Sequence, residues 1–362
     1  MSKVIVQILR APIGGIRKHV FDIIEHLSDK DVTQVFVTNV QDSDRVIPHY
    51  PNLIILDYPI VDKPQVQDLF NIGELFLELR KLNVDVIHGH GAKGGLYARI
   101  LSFILKCFCL YTPHGGSLHR VFGKLKNKIY DFIELSLVPL TDTFLFESLY
   151  SQTVFNQNIT DVTYKSVVNY NGVEIQERIK GTQYQPNQKM NLASFGLLRN
   201  LKGHDIFIKA CSLIHKKNIP FHYTIFGNGE ELNNLQKLVM SYGLNSFVTI
   251  QDYCEDTLAE MKKFDFIVHP SRFESFGYVP AEAMSLGIPV ISSHEGGLKE
   301  VVDDKCGFVS IDNSPESYAR VLEQLFNGEV SIDDKIENGI QKVSALFSKE
   351  KMLMKIESLY KI

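Results

Sequence analysis

Residues 268–301 read VHPSRFESFGYVPAEAMSLGIPVISSHEGGLKEV, and their order decides the fold. FIVHP (266–270) is an apolar run of strand length, SRFESFGY a loop at its C-terminal end, and PAEAMSLG a short helix. Pro280 suits the first helical position, where its missing N–H has no partner to lose, and Gly287 suits the stop. The strand IPVIS and the loop HEGG follow. In an open α/β sheet the loops at the strands' C-terminal ends form the ligand crevice. Glu274, Glu282, the turn at Gly277 and the turn at Gly296-Gly297 are therefore expected to face one cleft. Glu282 is expected in the first turn of its helix, where the dipole favours a carboxylate that can grip hydroxyl groups. The peptides of Ser275, Phe276, Gly277 and Tyr278 would present free N–H groups to a diphosphate. The bland alternative is that both glutamates are solvated surface acids.

Outward from this segment, strands and helices alternate along the whole chain. The first half offers VIVQIL (4–9), a helix over about 16–28, QVFVTN (34–39), NLIIL (52–56), a helix over 69–82 and VDVIHGH (84–90). A helix near 94–105, CFCLYT (107–112), a helix around 121–137, DTFLFE (142–147) and SVVNYN (166–171) follow. Alternation with apolar strands predicts a parallel sheet covered on both faces. After the polar residues 176–190 the pattern restarts at NLASFG (191–196) and continues through FHYTIFG (221–227), FVTI (247–250), FDFIVH and IPVIS. Two Rossmann-like, doubly wound α/β domains facing a central cleft are expected: 1–172 and 173–346. The amphipathic C-terminal helix (347–362) has Met352, Ile356 and Tyr360 at helical spacing.

A chain of 362 residues suits two domains, and 44% hydrophobic with 22% charged residues describes a globular protein. A net charge of -4 offers no field for nucleic acid. Five cysteines with no CxxC pair argue for a reduced, cytoplasmic compartment. The N-terminus lacks a signal-peptide pattern, and the most apolar other region, 100–111, is too short to span a bilayer. Any membrane contact is expected to be peripheral.

Several loops carry candidate chemistry. Ala11-Pro12-Ile13-Gly14-Gly15 joins the first strand to a helix and would let the backbone approach a phosphate, although it is not GxGxxG. His88 and His90 lie two apart at a strand end, with His114 after the next strand; without Asp, Glu or Cys at matching strand ends, no metal site is expected. Leu118, Phe122, Leu125, Ile129 and Phe132 make an apolar stripe beside the basic Arg120, Lys124, Lys126 and Lys128. Such a helix either docks on anionic lipid or is a core helix with a solvated basic face. Arg199 and Lys202, at a strand's C-terminal end, would neutralise a leaving diphosphate without metal.

In order, the residues Glu274-Ser275-Phe276-Gly277, Glu282-Ala283-Met284, Gly287-Ile288-Pro289-Val290 and Gly296-Gly297-Leu298-Lys299-Glu300 resemble the nucleotide-sugar signature of family 4 glycosyltransferases, with Ser275 where the family has glycine. Lys202-Gly203 resembles the end of the family's G-R-L-x-x-x-K-G, with Leu197 at the arginine position. Gly227-Asn228-Gly229-Glu230 resembles G-x-G-x-E, and Asn171-Gly172-Val173 the N-G-V of the domain junction. The resemblance implies the two-domain GT-B fold, with an acceptor-binding N-terminal domain, a donor-binding C-terminal one and a final helix crossing back onto the first. It also implies a retaining, metal-independent transfer of a hexosyl or N-acetylhexosaminyl group from a nucleotide sugar, UDP-sugars favoured, to a glycan or lipid-linked acceptor in surface polysaccharide synthesis.

By the same resemblance Gly15 lies against the diphosphate, His114 near the transferred sugar, Glu274 on the sugar hydroxyls and Glu282 on the nucleotide ribose, with Gly227 beside the nucleotide. Lipid-linked acceptors make the 118–136 segment, through Arg120, Lys124 and Lys128, a membrane contact, and no cofactor is implied. Two rivals stand: a non-catalytic nucleotide-sugar-binding module, favoured by Leu197, and a metal-dependent transferase using Asp-x-Asp, for which Asp29/Asp31 and Asp42/Asp44 have the spacing.

Overall fold

Apolar, β-branched runs too short for helices form thirteen strands among the described residues, and amphipathic segments between them form helices. The computed structural model describes residues 2–116, 123–176 and 184–362. Two compact units result, one of residues 1–171 with 350–362, the other of 172–349.

The first unit holds a seven-stranded sheet of β1 (Lys3–Leu9), β2 (Val32–Thr38), β3 (Leu53–Asp57), β4 (Val86–His90), β5 (Phe108–Thr112), β6 (Thr143–Phe146) and β7 (Ser166–Val168). Its order is β3-β2-β1-β4-β5-β6-β7, and every pairing is parallel. The helices are α1 (Gly14–His26), α2 (Gln67–Leu79), α3 (Gly91–Leu105), α4 (Lys124–Leu137) and α5 (Leu149–Asn158).

The second unit repeats the plan with β8 (Met190–Phe195), β9 (Phe221–Phe226), β10 (Val248–Gln251), β11 (Phe266–His269), β12 (Val290–Ser293) and β13 (Phe308–Ser310), ordered β10-β9-β8-β11-β12-β13. Its helices are α6 (His204–Lys216), α7 (Leu232–Ser241), α8 (Thr257–Met261), α9 (Tyr278–Ser285), α10 (Leu298–Val301), α11 (Pro315–Asn327) and α12 (Asp333–Leu346). In both sheets the strand order reverses direction beside the first strand, which puts a crevice at the strands' C-terminal ends there.

The last helix, α13 (Lys349–Tyr360), belongs to the first unit. Met352, Leu353, Ile356 and Tyr360 are buried with Ile5, Val86 and Leu110 of its sheet and with Ile23 and Leu27 of α1. Burying an apolar side chain of this size contributes about 1.5–3 kcal/mol.

On α4 the burial is inverted relative to an ordinary amphipathic helix. Leu125, Ile129 and Phe132 are 74%, 51% and 70% exposed, while Asn127 and Glu134 are buried. The cause is an ion pair: Arg99 of α3, wholly buried, donates from Nη1 to Glu134 Oε2 at 2.8 Å and from Nε to the Gly95 carbonyl at 2.9 Å. Tyr111 Oη donates to Glu134 Oε1 at 3.0 Å, and the guanidinium stacks 4.1 Å from the Tyr111 ring centre. Removing one member leaves the other charge buried alone. Glu134→Ala is therefore expected to cost about 3–5 kcal/mol in denaturant unfolding, whereas Arg99→Met with Glu134→Leu recovers most of the loss. Arg120 of the expected basic face and Leu118 and Phe122 of the expected apolar stripe lie outside the described residues, as do 177–183 of the polar separator.

Candidate active site

Four loops of the second unit meet at the C-terminal ends of its strands. Leu198 N–H bonds to the Asn228 carbonyl, Gly227 N–H to Gln251, Arg272 N–H to Leu201, and Gly297 N–H to Glu274. The loops after β8, β9, β11 and β12 are thereby pinned to one another. Glycine is needed where they touch: a Cβ on Gly203 would lie 2.0 Å from the Pro270 carbonyl oxygen, and Cβ atoms on Gly296 and Gly297 would lie 2.2 and 2.0 Å from the carbonyl oxygens of Glu274 and Ser275. Gly297→Ala must push the Glu274–Ser275 backbone away. It is expected to lower the melting temperature, read by calorimetry against wild type.

Within this frame Lys202 Nζ donates to Glu274 Oε1, an ion pair between residues 72 apart in sequence. His269 Nε2 donates to the same oxygen at 3.0 Å, and Ser271 Oγ reaches it at 3.3 Å. Burial alone would raise the carboxyl pKa of Glu274, but Lys202 and His269 outweigh it and hold the pKa well below the carboxylate range. Burial also lowers the pKa of His269, so this imidazole is neutral. Arg272 grips Asp205 with two bonds of 2.7 and 2.8 Å and the Asn200 carbonyl at 2.7 Å, holding the lysine loop against the glutamate loop. Arg199 is exposed and Leu197 half-buried. Gly227 lies in the turn after β9.

The helix behind the signature differs from the sequence expectation at its start. Gly277, with φ +110°, is the N-cap of α9, so Tyr278 and not Pro280 is the first helical residue. Pro280 becomes the third, still among the positions whose N–H lacks an intrahelical acceptor. Glu282 becomes the fifth residue and is half-buried in the second turn, where the dipole has largely faded. Ser275, Phe276 and Gly277 are buried leading into the helix. Gly287 does terminate it: its own N–H bonds to the Met284 carbonyl and that of Ile288 to Ala283.

In the first unit Gly15 is the second residue of α1, which begins at Gly14. The Gly14 N–H is taken by Asp44 Oδ2 at 2.9 Å, and Asp44 also pairs with Arg17. A carboxylate thus stands at the helix N-terminus where a phosphate was expected. Asp42 lies 3.8 Å from Arg10 and accepts from Asn39, so the Asp-x-Asp spacing here serves loop closure.

His114 follows β5 with φ +52° and lies 3.1 Å (Nε2) from His90 Nδ1. Burial lowers the pKa of His88, His90 and His114, and the neighbouring histidines add to it. The sequence reading missed His19 of α1, whose ring packs edge-on to both His90 and His114. With it, three ring nitrogens lie within 4.8 Å of one another, a set that could hold a metal ion, although no carboxylate or thiolate joins it among the described residues. Both nitrogens of His90 already have hydrogen-bond partners, the second being Gln7 Oε1 at 2.7 Å. We read the cluster as a hydrogen-bonded one. His269, Arg272, Gln7 and Tyr360 were missed too, since each is defined by a partner distant in the chain.

Residues 13–177 match the family described as "Glycosyltransferase Family 4", and residues 176–342 that described as "Glycosyl transferases group 1". An uncharacterised glycosyltransferase of Methanocaldococcus jannaschii is 27% identical over 356 residues, 96% of this chain and 94% of that one. The O-antigen biosynthesis glycosyltransferase WclY of Escherichia coli is 24% identical, covering 94% and 93%. Among solved structures, Anabaena HepE in complex with UDP-glucose superposes with a TM-score of 0.80 at 19% identity, covering 99% of this chain and 100% of that one, a likeness of fold.

Proposed function

Because the chain belongs to the family 4 glycosyltransferases, of the GT-B fold, we propose that it moves a hexosyl or N-acetylhexosaminyl group from a nucleotide sugar to a glycan or lipid-linked acceptor in surface polysaccharide synthesis. A UDP-sugar is the favoured donor, anomeric configuration is retained, and no divalent metal is required. The Lys202–Glu274 pair, brought together from two strand ends beside the start of α9, carries this reading.

Departure of a nucleoside diphosphate builds negative charge on its oxygens and positive charge at the anomeric carbon. Lys202 Nζ and the positive end of the α9 dipole would take up the first charge without a metal. Glu274, kept ionised by Lys202, would accept hydrogen bonds from sugar hydroxyls and fix the ring. Donor binding would share Lys202 between the carboxylate and the diphosphate. Arg199, exposed on the same loop, is the candidate for the arginine contact that Leu197 cannot make. By the family resemblance, His114 is the candidate contact to a sugar hydroxyl. The E. coli relative's role in O-antigen biosynthesis and the UDP-glucose in the HepE complex support the pathway and the donor class.

The test is release of nucleoside diphosphate from UDP-, GDP- and ADP-sugars in the presence of EDTA. Release from one donor supports the transferase reading. Binding without turnover, even with acceptor glycolipids supplied, would instead support the non-catalytic module. Loss of release on chelation, restored by zinc, would transfer the weight to His19, His90 and His114.

A peripheral position on an anionic membrane face is part of the proposal. No helix among the described residues is long and apolar enough to cross a membrane. The exposed Leu125, Ile129 and Phe132 beside the exposed Lys124, Lys126 and Lys128 favour docking over the core-helix alternative. Each lysine near the surface would contribute about 1 kcal/mol. Co-sedimentation with phosphatidylglycerol vesicles is expected, lost in Leu125→Ser with Phe132→Ser and weakened by salt. Equal binding by that variant would refute the docking face.

A further inference from the structure

Gln7 on β1, His88 and His90 on β4 and Tyr360 on α13 form one hydrogen-bonded group beneath the loop that carries His114. The Gln7 amide nitrogen donates to Tyr360 Oη at 2.7 Å. The tyrosine hydroxyl therefore directs its own proton to His88 Nδ1, 2.6 Å away. His88 then carries its single proton on Nε2 and donates it to Thr112 Oγ1 at 2.8 Å. On the other side of the amide, Gln7 Oε1 can only accept, so its partner at 2.7 Å is the N–H at His90 Nε2. His90 Nδ1 is left as a lone pair, and the 3.1 Å bond to His114 must come from His114 Nε2–H.

Each step holds because burial keeps these imidazoles neutral, with one proton apiece, and keeps the Tyr360 hydroxyl protonated. In a neutral imidazole the tautomer is set by the bond made at the other nitrogen. The chain of bonds thus ends at His114 Nδ1, which has no hydrogen-bond partner among the described residues.

We propose that Gln7 and Tyr360 are positioning residues that hold His114 in the Nε2–H tautomer, so that its Nδ1 is an unprotonated acceptor for a substrate hydroxyl. The assignment of a substrate there rests on the transferase reading. The tautomer rests on the hydrogen bonds alone. Through Tyr360, 353 residues from Gln7, the final helix thereby reaches the chemistry of a loop it does not carry.

Two measurements on the full chain test this. Long-range proton–nitrogen spectra of histidine-labelled protein without ligand are expected to report His114 protonated at Nε2, and Tyr360→Phe to shift His90 and His114 towards the other tautomer. A wild-type His114 protonated at Nδ1, or spectra unchanged in Tyr360→Phe, would overturn the proposal. In turnover, Tyr360→Phe is expected to lower kcat about five- to tenfold, the worth of one neutral hydrogen bond, with donor KM unchanged. In a His114→Ala background the same change is expected to have no further effect. An equal loss in both backgrounds would mean that the hydroxyl serves folding only, and the proposal falls. A wild type that turns over no donor would retire the transferase reading, and the spectra would still decide the tautomer.

Discussion

Glu274→Ala and Lys202→Ala are each expected to reduce kcat/KM by about a thousandfold or more while leaving the protein folded. The two side chains are loop residues at strand ends, 17% and 24% exposed, so neither supports the core. Removing the lysine withdraws the cation from the departing diphosphate. Removing the glutamate withdraws the acceptor from the sugar and also leaves the lysine without its carboxylate partner, which the neighbouring His269 cannot replace because an imidazole never carries negative charge. Because each change alters the partner's surroundings, the double variant should lose much less than the sum of the two, with a coupling of about 1–3 kcal/mol. Glu274→Gln separates charge from shape: it keeps an oxygen for His269 but cannot hold an anion against Lys202. Near-normal turnover in either alanine variant, with circular dichroism unchanged, would remove the Lys202–Glu274 pair from the mechanism.

Acidification is expected to unfold this protein earlier than carboxylate protonation alone would. Burial lowers the pKa of His19 from 6.5 to about 4 and that of His204 from 6.5 to about 3. His88, His90, His114 and His269 are lowered as well. Below pH 6.5 the unfolded chain binds protons on these histidines that the folded chain refuses, so stability is full above that pH and declines as it falls towards the folded values. His19 alone withdraws about 3 kcal/mol between pH 6.5 and 4. Against a domain stability of about 5–15 kcal/mol, several such groups are decisive. The melting temperature should be flat above pH 7 and fall steeply between pH 6.5 and 5, where ordinary carboxylates remain ionised. His19→Gln should reduce the slope by one proton. A melting temperature constant down to pH 5 would contradict the neutral burial of these rings.

Much of the fold is local chemistry and was legible in the chain. Apolar runs of strand length alternate with amphipathic segments, and parallel sheets bury strands on both faces, so FIVHP and IPVIS could be read without a partner in view. The signature was legible for the same reason: Glu274, Gly277, Gly287 and Gly296-Gly297 are punctuated by turn and cap residues whose conformational demands are their own. The start of α9 was misplaced by two residues because a glycine N-cap gives a weaker signal than a proline inside the first turn, and with it went the expected first-turn place of Glu282.

What residues meet across the sheet was left to the tertiary structure. Nothing in HEGG announces that its glycines lie on the backbone of Glu274 and Ser275, and nothing in Lys202 announces a carboxylate 72 residues later as its partner. The apolar stripe of α4 could be read, but which face is buried could not: a buried Arg99 holds Glu134 inward and turns Leu125 and Phe132 out. The His114 cluster is the extreme case, built from β1, α1, β4, β5 and the last turn of α13. Periodicity in sequence governs the contacts a segment makes with itself, whereas a hydrogen bond between Gln7 and Tyr360 exists only because the chain closes into a sheet with that helix upon it.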